Sequence, residues 1–343
     1  MEGMTGHERV RRAVHFETPD RLPVAFASLG VTDFKSAVGA IFPSARAETG
    51  LGADEWGCVW EKTEAHNMGQ VRGHPLADWS ALEGYAFPDP DREELYAHMP
   101  GRIAEAGGRY VKTGIFALIF ERLHMLRGFE NVLTDLYLAR DRLAALADRI
   151  VDVQLRTIRN TASVCGRSIH GLGFTDDWGT QQAAFVSVEM WREFFLPRYK
   201  VLFDAIHAAG WDVWMHSCGK VNEIIEPLIE IGVDVLNLQQ PRALGIEEIG
   251  ARYRGRVAFS SLCDIQATLP AGDAGAIHKE AALLLEHWAA PGGGFVLSDY
   301  GDGEAIGVPD ETKRVMLDAF GELDPWAPGA KAVSPLPAVA ARA

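Results

Sequence analysis

The apolar positions of the chain fall into short continuous runs separated by longer stretches with helical spacing. Strands covered on both faces read as near-continuous apolar runs of about four to eight residues. Residues 22–27 (LPVAFA), 110–116, 169–175, 211–215, 235–238, 257–262 and 294–298 fit this description. Residues 55–60 (EWGCVW) make an eighth candidate, inside an irregular segment from 31 to 91 with Gly, Pro and Trp clusters. The spacing i, i+3, i+4, i+7 of an amphipathic helix predicts helices over 91–106, 117–126, 131–138, 141–164, 199–209, 221–231, 246–253, 274–289 and 309–320. Thr5 with Glu8 matches a capping box and opens an N-terminal helix carrying Val10, Val14 and Phe16. Ser187 and Asp273 are the expected N-caps of later helices, and Gly166, Gly210 and Gly232 the expected stops.

Eight strands alternating with helices leave two architectures, a closed barrel and an open doubly wound sheet. No G-x-G-x-x-G follows the first strand, so the dinucleotide-binding open sheet loses its main support. The expected fold is a single (β/α)8 TIM barrel with an N-terminal helical extension, spanning residues 1–325. Residues 326–343, rich in Ala and Pro, are expected to form a disordered tail. Catalytic groups of such barrels sit at the carboxyl ends of the strands. The polar clusters of this chain lie there: Asp176-Asp177, His216 with Cys218, Gln239-Gln240, Cys263-Asp264 with Gln266, and Asp299 with Asp302.

Composition narrows the partners. Of the 343 residues, 48% are hydrophobic and 23% charged, and the formal net charge is −14. Such an acidic chain is not expected to act on nucleic acid or an anionic membrane. The charged N-terminus does not read as a secretory signal, and no apolar run is long enough to span a bilayer. The cysteines Cys58, Cys165, Cys218 and Cys263 are few and scattered. Reduced thiols and a cytoplasmic location are the corresponding expectation.

The densest chemistry is in residues 211–220, WDVWMHSCGK. Side chains alternate along a strand, so His216 and Cys218 point the same way at its end. An imidazole and a thiol aimed at one spot suit zinc, and Cys263, after the seventh strand, ranks first as a third ligand. Asp299 or Asp302 offers a carboxylate oxygen instead. Asp177 and His216 are the candidate catalytic groups. Asp176, Gln181, Trp178, Gln239 and Tyr300 are candidate substrate contacts. Glu121 and His124 form an i, i+3 pair that reads as a surface pair or as part of the site. Trp56 and Trp60 read as core or as a pocket wall.

These motifs resemble the uroporphyrinogen decarboxylase superfamily. The matching pieces are T-x-x-E-R-V-x-x-A-V-x-x-x-x-P-D-R-L-P-V (residues 5–24), DDWGTQ (176–181), WREFFLPRY (191–199), HSCGKVNEIIEPLIEIGVDVLNLQQP (216–241) and GGGFVLSDYG (292–301). The resemblance implies a single (β/α)8 barrel and one of two chemistries. One is tetrapyrrole decarboxylation without a metal. The other is zinc-dependent methyl transfer between a small methylated substrate and a corrinoid protein or a thiol. The decarboxylase branch carries an arginine-containing segment after the first strand, where this chain reads Ala25-Phe26-Ala27-Ser28-Leu29-Gly30. The methyltransferase branch carries H-x-C, matched by His216 and Cys218, and a later cysteine in the loop after the last strand, where this chain has Asp299-Tyr300-Gly301-Asp302. A zinc-dependent methyltransferase is therefore the expected activity, and a metal-independent decarboxylase of a small carboxylate the alternative. Zinc, a small-molecule substrate, a corrinoid protein and a homodimer are the cofactor and partners the resemblance implies.

Overall fold

The computed structural model describes residues 3–36, 38–62 and 69–330. Eight parallel strands follow the chain: β1 (Val24–Phe26), β2 (Phe34–Lys35), β3 (Tyr110–Ile115), β4 (Gly171–Thr175), β5 (Asp212–His216), β6 (Val235–Asn237), β7 (Ala258–Ser261) and β8 (Phe295–Ser298). From β2 to β8 each strand pairs in parallel with the next, and β8 returns to β1. A ninth strand, Val31–Thr32, turns back antiparallel on β1. The remaining gap, between β1 and β2, is closed at Asp33 just before β2: its N–H donates to the Val24 carbonyl of β1 and its carbonyl accepts from Tyr110 N–H of β3, both at 2.8 Å. This is a TIM barrel, as the apolar runs predict.

Helices α1 (Gly6–Val14), α2 (Phe120–Arg127), α3 (Phe129–Leu138), α4 (Arg140–Cys165), α5 (Leu196–Ala208), α6 (Asn222–Glu230), α7 (Ile246–Tyr253), α8 (Ala274–Trp288) and α9 (Asp310–Glu322) follow the periodicity. The α1 side chains Val10 and Val14 join Phe34, Tyr110, Trp214, Val235, Ala258 and Val296 in a buried cluster of their own. All six of these partners lie in barrel strands, and Phe34, Tyr110, Val235 and Ala258 are the first residues of theirs, so α1 packs against the end of the barrel where the strands begin. The larger core lies between the strands and the outer helices and contains Phe174, Val213, Met215 and Phe259. Ser187 and Asp273 cap their helices as expected, accepting from Met190 N–H and Ala276 N–H. Thr5 accepts from Glu8 N–H at 3.2 Å, but Glu8 turns its carboxylate to Arg11 and Arg12, leaving the box half formed.

Three expectations are corrected. Residues 55–60 do not enter the barrel: Val59–Glu61 is the middle strand of a separate antiparallel sheet with Gly52–Ala53 and Gln70–Gly73. Its place in the ring belongs to β2, whose two residues follow Asp33 and are too few to show a run. The helix predicted over 91–106 is reduced to a 3-10 turn, Glu93–Leu95, and the short helix Met99–Ala104. A π-turn at Trp191–Phe195 precedes α5. Pro197 near the start of that helix has no N–H to give, and a π-turn absorbs the missing bond. Finally, Trp326 is anchored, donating to Asp324 Oδ1 at 2.9 Å and from its indole to the Pro291 carbonyl at 3.2 Å. The ordered chain thus runs past 325, while residues 331–343 of the expected tail lie outside the described residues. Among the described residues no helix is long and apolar enough to cross a membrane.

Asp33 also holds the closure electrostatically. Its carboxylate accepts from Arg9 at 2.6 Å, Arg21 at 2.8 Å and Val24 N–H at 2.9 Å, with its side chain 5% exposed. Removing one member of a buried, paired set leaves the others uncompensated. Asp33→Ala is expected to lower unfolding free energy by about 3–5 kcal/mol in urea titrations; a loss below about 1 kcal/mol on the same scale would show that the closure does not depend on it.

Candidate metal centre and substrate cavity

Two adjacent strands build the site. β4 leads into Asp176-Asp177-Trp178-Gly179, and β5 ends in His216 before Ser217-Cys218-Gly219-Lys220. The two loops are joined by main-chain bonds: Asp176 N–H donates to the His216 carbonyl at 3.1 Å and Lys220 N–H to the Thr180 carbonyl at 2.7 Å. Trp178 N–H donates to Ser217 Oγ at 3.0 Å, and Cys218 N–H to Asp177 Oδ1 at 2.7 Å. Gly219 has φ +79°, and a Cβ there would meet the Gly179 oxygen at 2.2 Å. Only glycine allows this approach.

The result is a cluster of three donors. Cys218 Sγ lies 3.4 Å from His216 Nε2, and Asp177 Oδ1 lies 3.6 Å from the same nitrogen. The ligand atoms of Asp177, His216 and Cys218 all fall within 4.8 Å of one another. The imidazole is oriented from behind. Asn237 Nδ2 faces the Ser260 carbonyl at 2.9 Å, where it must donate, so its Oδ1, 2.8 Å from His216 Nδ1, must accept. His216 therefore carries its proton on Nδ1 and presents the Nε2 lone pair to the cluster. Burial, followed by the charge of Asp177, pushes the Cys218 thiol well above its usual range. At neutral pH the sulfur is a thiol until a cation draws the proton off.

Cys263, expected as third ligand, is not brought here. Its Sγ is buried against the Ile277 carbonyl of α8 at 3.5 Å. Asp299 is tied to Lys313 at 3.1 Å and to Ser28 Oγ at 2.6 Å, and Asp302 accepts from Ala305 N–H in its turn. Asp177 supplies the third donor instead. Asp176 is fully buried and accepts from the N–H groups of Ile119, Phe120 and Glu121 and from Tyr199 OH. It caps α2 from across the barrel rim and is not available as a substrate contact. Burial raises its carboxyl to about 6.

Trp178 is likewise core. Its ring stacks on Phe120 at 4.2 Å and its N–H donates to Tyr199 OH at 2.9 Å. Gln181 is exposed, with Nε2 3.4 Å from Gln240 Oε1. Gln240 is buried and accepts from Gly219 N–H at 2.7 Å. Trp56 and Trp60 are buried near Arg122 and Arg46. His124 packs edge-on against Phe120, and burial lowers it to about 4. Glu121, by contrast, belongs to the surroundings of the cluster. Burial first, then Asp176 and Asp177, raise its carboxyl to about 8, and its Oε2 has no hydrogen-bond partner.

Beside the cluster a cavity of about 680 Å³ opens into the barrel. His216, Asn237, Gln239, Tyr300 and Asp302 line it, together with Lys112, Phe116, Phe174 and Trp214. This volume lies in the range of small-molecule sites. Gln239 and Tyr300 thus face the cavity as the sequence suggests. Lys112 is the site residue that sequence reasoning missed. Its signal was a lone charge inside the apolar run YVKTGIF.

A search of curated proteins found no match. Among solved structures, a methyltransferase from Methanosarcina mazei superposes with a TM-score of 0.66 at 17% identity, covering 93% of this chain and 99% of that one. A glycosylated endo-beta-1,4-xylanase from Gloeophyllum trabeum reaches 0.40 at 11% identity over 68% and 82% of the two chains. The zinc-bound IOLI protein reaches 0.38 at 14% identity over 67% and 84%. The first of these shares the barrel architecture; the other two are too distant to add to it. The family profile of uroporphyrinogen decarboxylase matches residues 103–323, from the helix before β3 to α9, and the chain belongs to that family.

Proposed function

We propose that the protein is a zinc-dependent methyltransferase, moving a methyl group between a small methylated substrate and a thiol or a corrinoid protein. The observation that carries this reading is the convergence of Asp177, His216 and Cys218 on one point. One oxygen, one nitrogen and one sulfur suit tetrahedral zinc and leave a fourth position open. The fit is supported by the unpartnered Glu121 Oε2 and by the carboxyls of Glu121, Asp176 and Asp177, which favour a cation nearby. Bound zinc supplies thiolate stabilisation or Lewis-acid activation of a methoxy or methylthio group. Asn237 sets the imidazole tautomer, and Gln239 and Tyr300 hold the organic part of the substrate. No arginine stands on the described wall of the cavity, which disfavours a tetrapyrrole with several carboxylates as substrate.

Metal analysis should find about one zinc per chain. His216→Ala and Cys218→Ser should lose it. Asn237→Ala should weaken it by about 10–100-fold with the circular dichroism spectrum unchanged. Metal-free protein with full methyl-transfer activity would overturn the reading. Because the Cys218 proton must leave, calorimetry near pH 7 in buffers of different ionisation enthalpy should show release of about one proton per zinc, and affinity should rise with pH; binding without proton release contradicts a thiolate ligand.

In the metal-free protein Glu121 ionises near 4.5 when unfolded and only near 8 when folded. The folded state therefore holds its proton more tightly, and stability declines as pH rises between those values. Glu121→Gln should flatten this decline and raise the melting temperature at pH 8. An unchanged slope in thermal melts from pH 5 to pH 8 would place the carboxyl elsewhere.

A further inference from the structure

Among the described residues that line the cavity, Lys112 is a cation that the metal centre does not use. Lys112 stands in β3, with its ammonium over the Trp214 ring at 4.9 Å and near the Phe34 ring at 5.9 Å. Among the described residues no carboxylate pairs with it, and loss of solvation alone accounts for its lowering to about 8. Asp299 borders the same inner chamber but is held by Lys313 and Ser28. The lysine runs alongside the neighbouring strand: a Cβ at Gly173 would touch Lys112 Cδ and Cε at 3.5 Å, an ordinary contact.

Lys112 is half-buried, and an ammonium partly withdrawn from water without a partner carries a cost unless something else compensates it. The aromatic faces of Trp214 and Phe34 offset part of that cost. The surroundings offer the rest to an anion. The inner chamber, about 130 Å³, is lined by Lys112 together with Ser36, Asn237, Gln239, Ser260 and Ser298. Those neutral polar groups accommodate oxygens, and the chamber is large enough for a carboxylate with its attached carbons. It shares Lys112, Trp214, Asn237 and Gln239 with the larger cavity, which reaches His216.

We propose that Lys112 is the anion-binding residue of the substrate site. The small molecule that meets the Asp177–His216–Cys218 cluster carries a carboxylate, seated on Lys112 Nζ in the inner chamber. Its thiol or methyl-bearing end points toward His216. The reactive end of this assignment rests on the methyl-transfer reading; the anionic end does not.

The test compares two thiols of equal length, 3-mercaptopropionate and 3-mercapto-1-propanol, on the cobalt(II)-loaded protein. Calorimetry reads affinity, and the thiolate-to-cobalt absorption band reads arrival of sulfur at the metal. Wild-type protein should bind the carboxylate thiol about tenfold or more tightly than the alcohol, the scale of one charge-assisted hydrogen bond. Lys112→Met should bring the ratio near one with the alcohol's affinity unchanged, and Lys112→Arg should retain a preference. Equal affinities in the wild type, or a preference that survives Lys112→Met, overturn the assignment. A Lys112-dependent preference with no change in the cobalt band supports the anion site while refuting the methyl-transfer reading. A cobalt band that responds equally to both thiols, at equal affinity, does the reverse.

Discussion

The hydrogen bond from Cys218 N–H to Asp177 Oδ1 is the interaction on which the site depends. It joins the loop after β4 to the loop after β5, and it does so at the residues that offer ligand atoms. The neighbouring bonds, Trp178 N–H to Ser217 Oγ and Gly219 N–H to Gln240 Oε1, repeat the join on either side. Three successive strands of the barrel therefore meet around one turn. Because the turn is fixed by its own main chain, the thiol, imidazole and carboxylate are positioned before any ligand arrives. Pre-organisation of this kind keeps the entropic cost of assembling a site out of the binding step.

The buried polar groups divide according to what they face. Asp176 spends both oxygens on helix N–H groups and a tyrosine, so it is structural although it adjoins Asp177. Adjacent residues leaving a strand point in opposite directions, and this pair is separated in that way. Lys112 and Lys313 show the same division. Lys313 neutralises Asp299 at the rim, whereas Lys112 faces the cavity with no carboxylate paired to it among the described residues.

The barrel was legible wherever a strand is an apolar run covered on both faces, which holds for β1 and β3 to β8. It was illegible at β2, where two residues are placed by the hydrogen bonds of Asp33 and not by hydrophobic pattern. The His216–Cys218 pair was legible because strand periodicity is local. The third donor was not, since periodicity says nothing about which loops are neighbours. The search for a late ligand pointed to Cys263, a thiol that packs against α8, while the donor came from the preceding strand. Lys112 was hidden for a related reason: a single lysine in a strand ordinarily reads as solvent-facing, and only a closed barrel turns that position toward an interior chamber.

The most direct measurement is X-ray absorption at the zinc edge of protein loaded with one equivalent of metal. The account predicts a single sulfur neighbour at about 2.3 Å, with the remaining shell of nitrogen and oxygen at about 2.0–2.2 Å. Two sulfur neighbours, or none, would contradict a centre built from Asp177, His216 and Cys218.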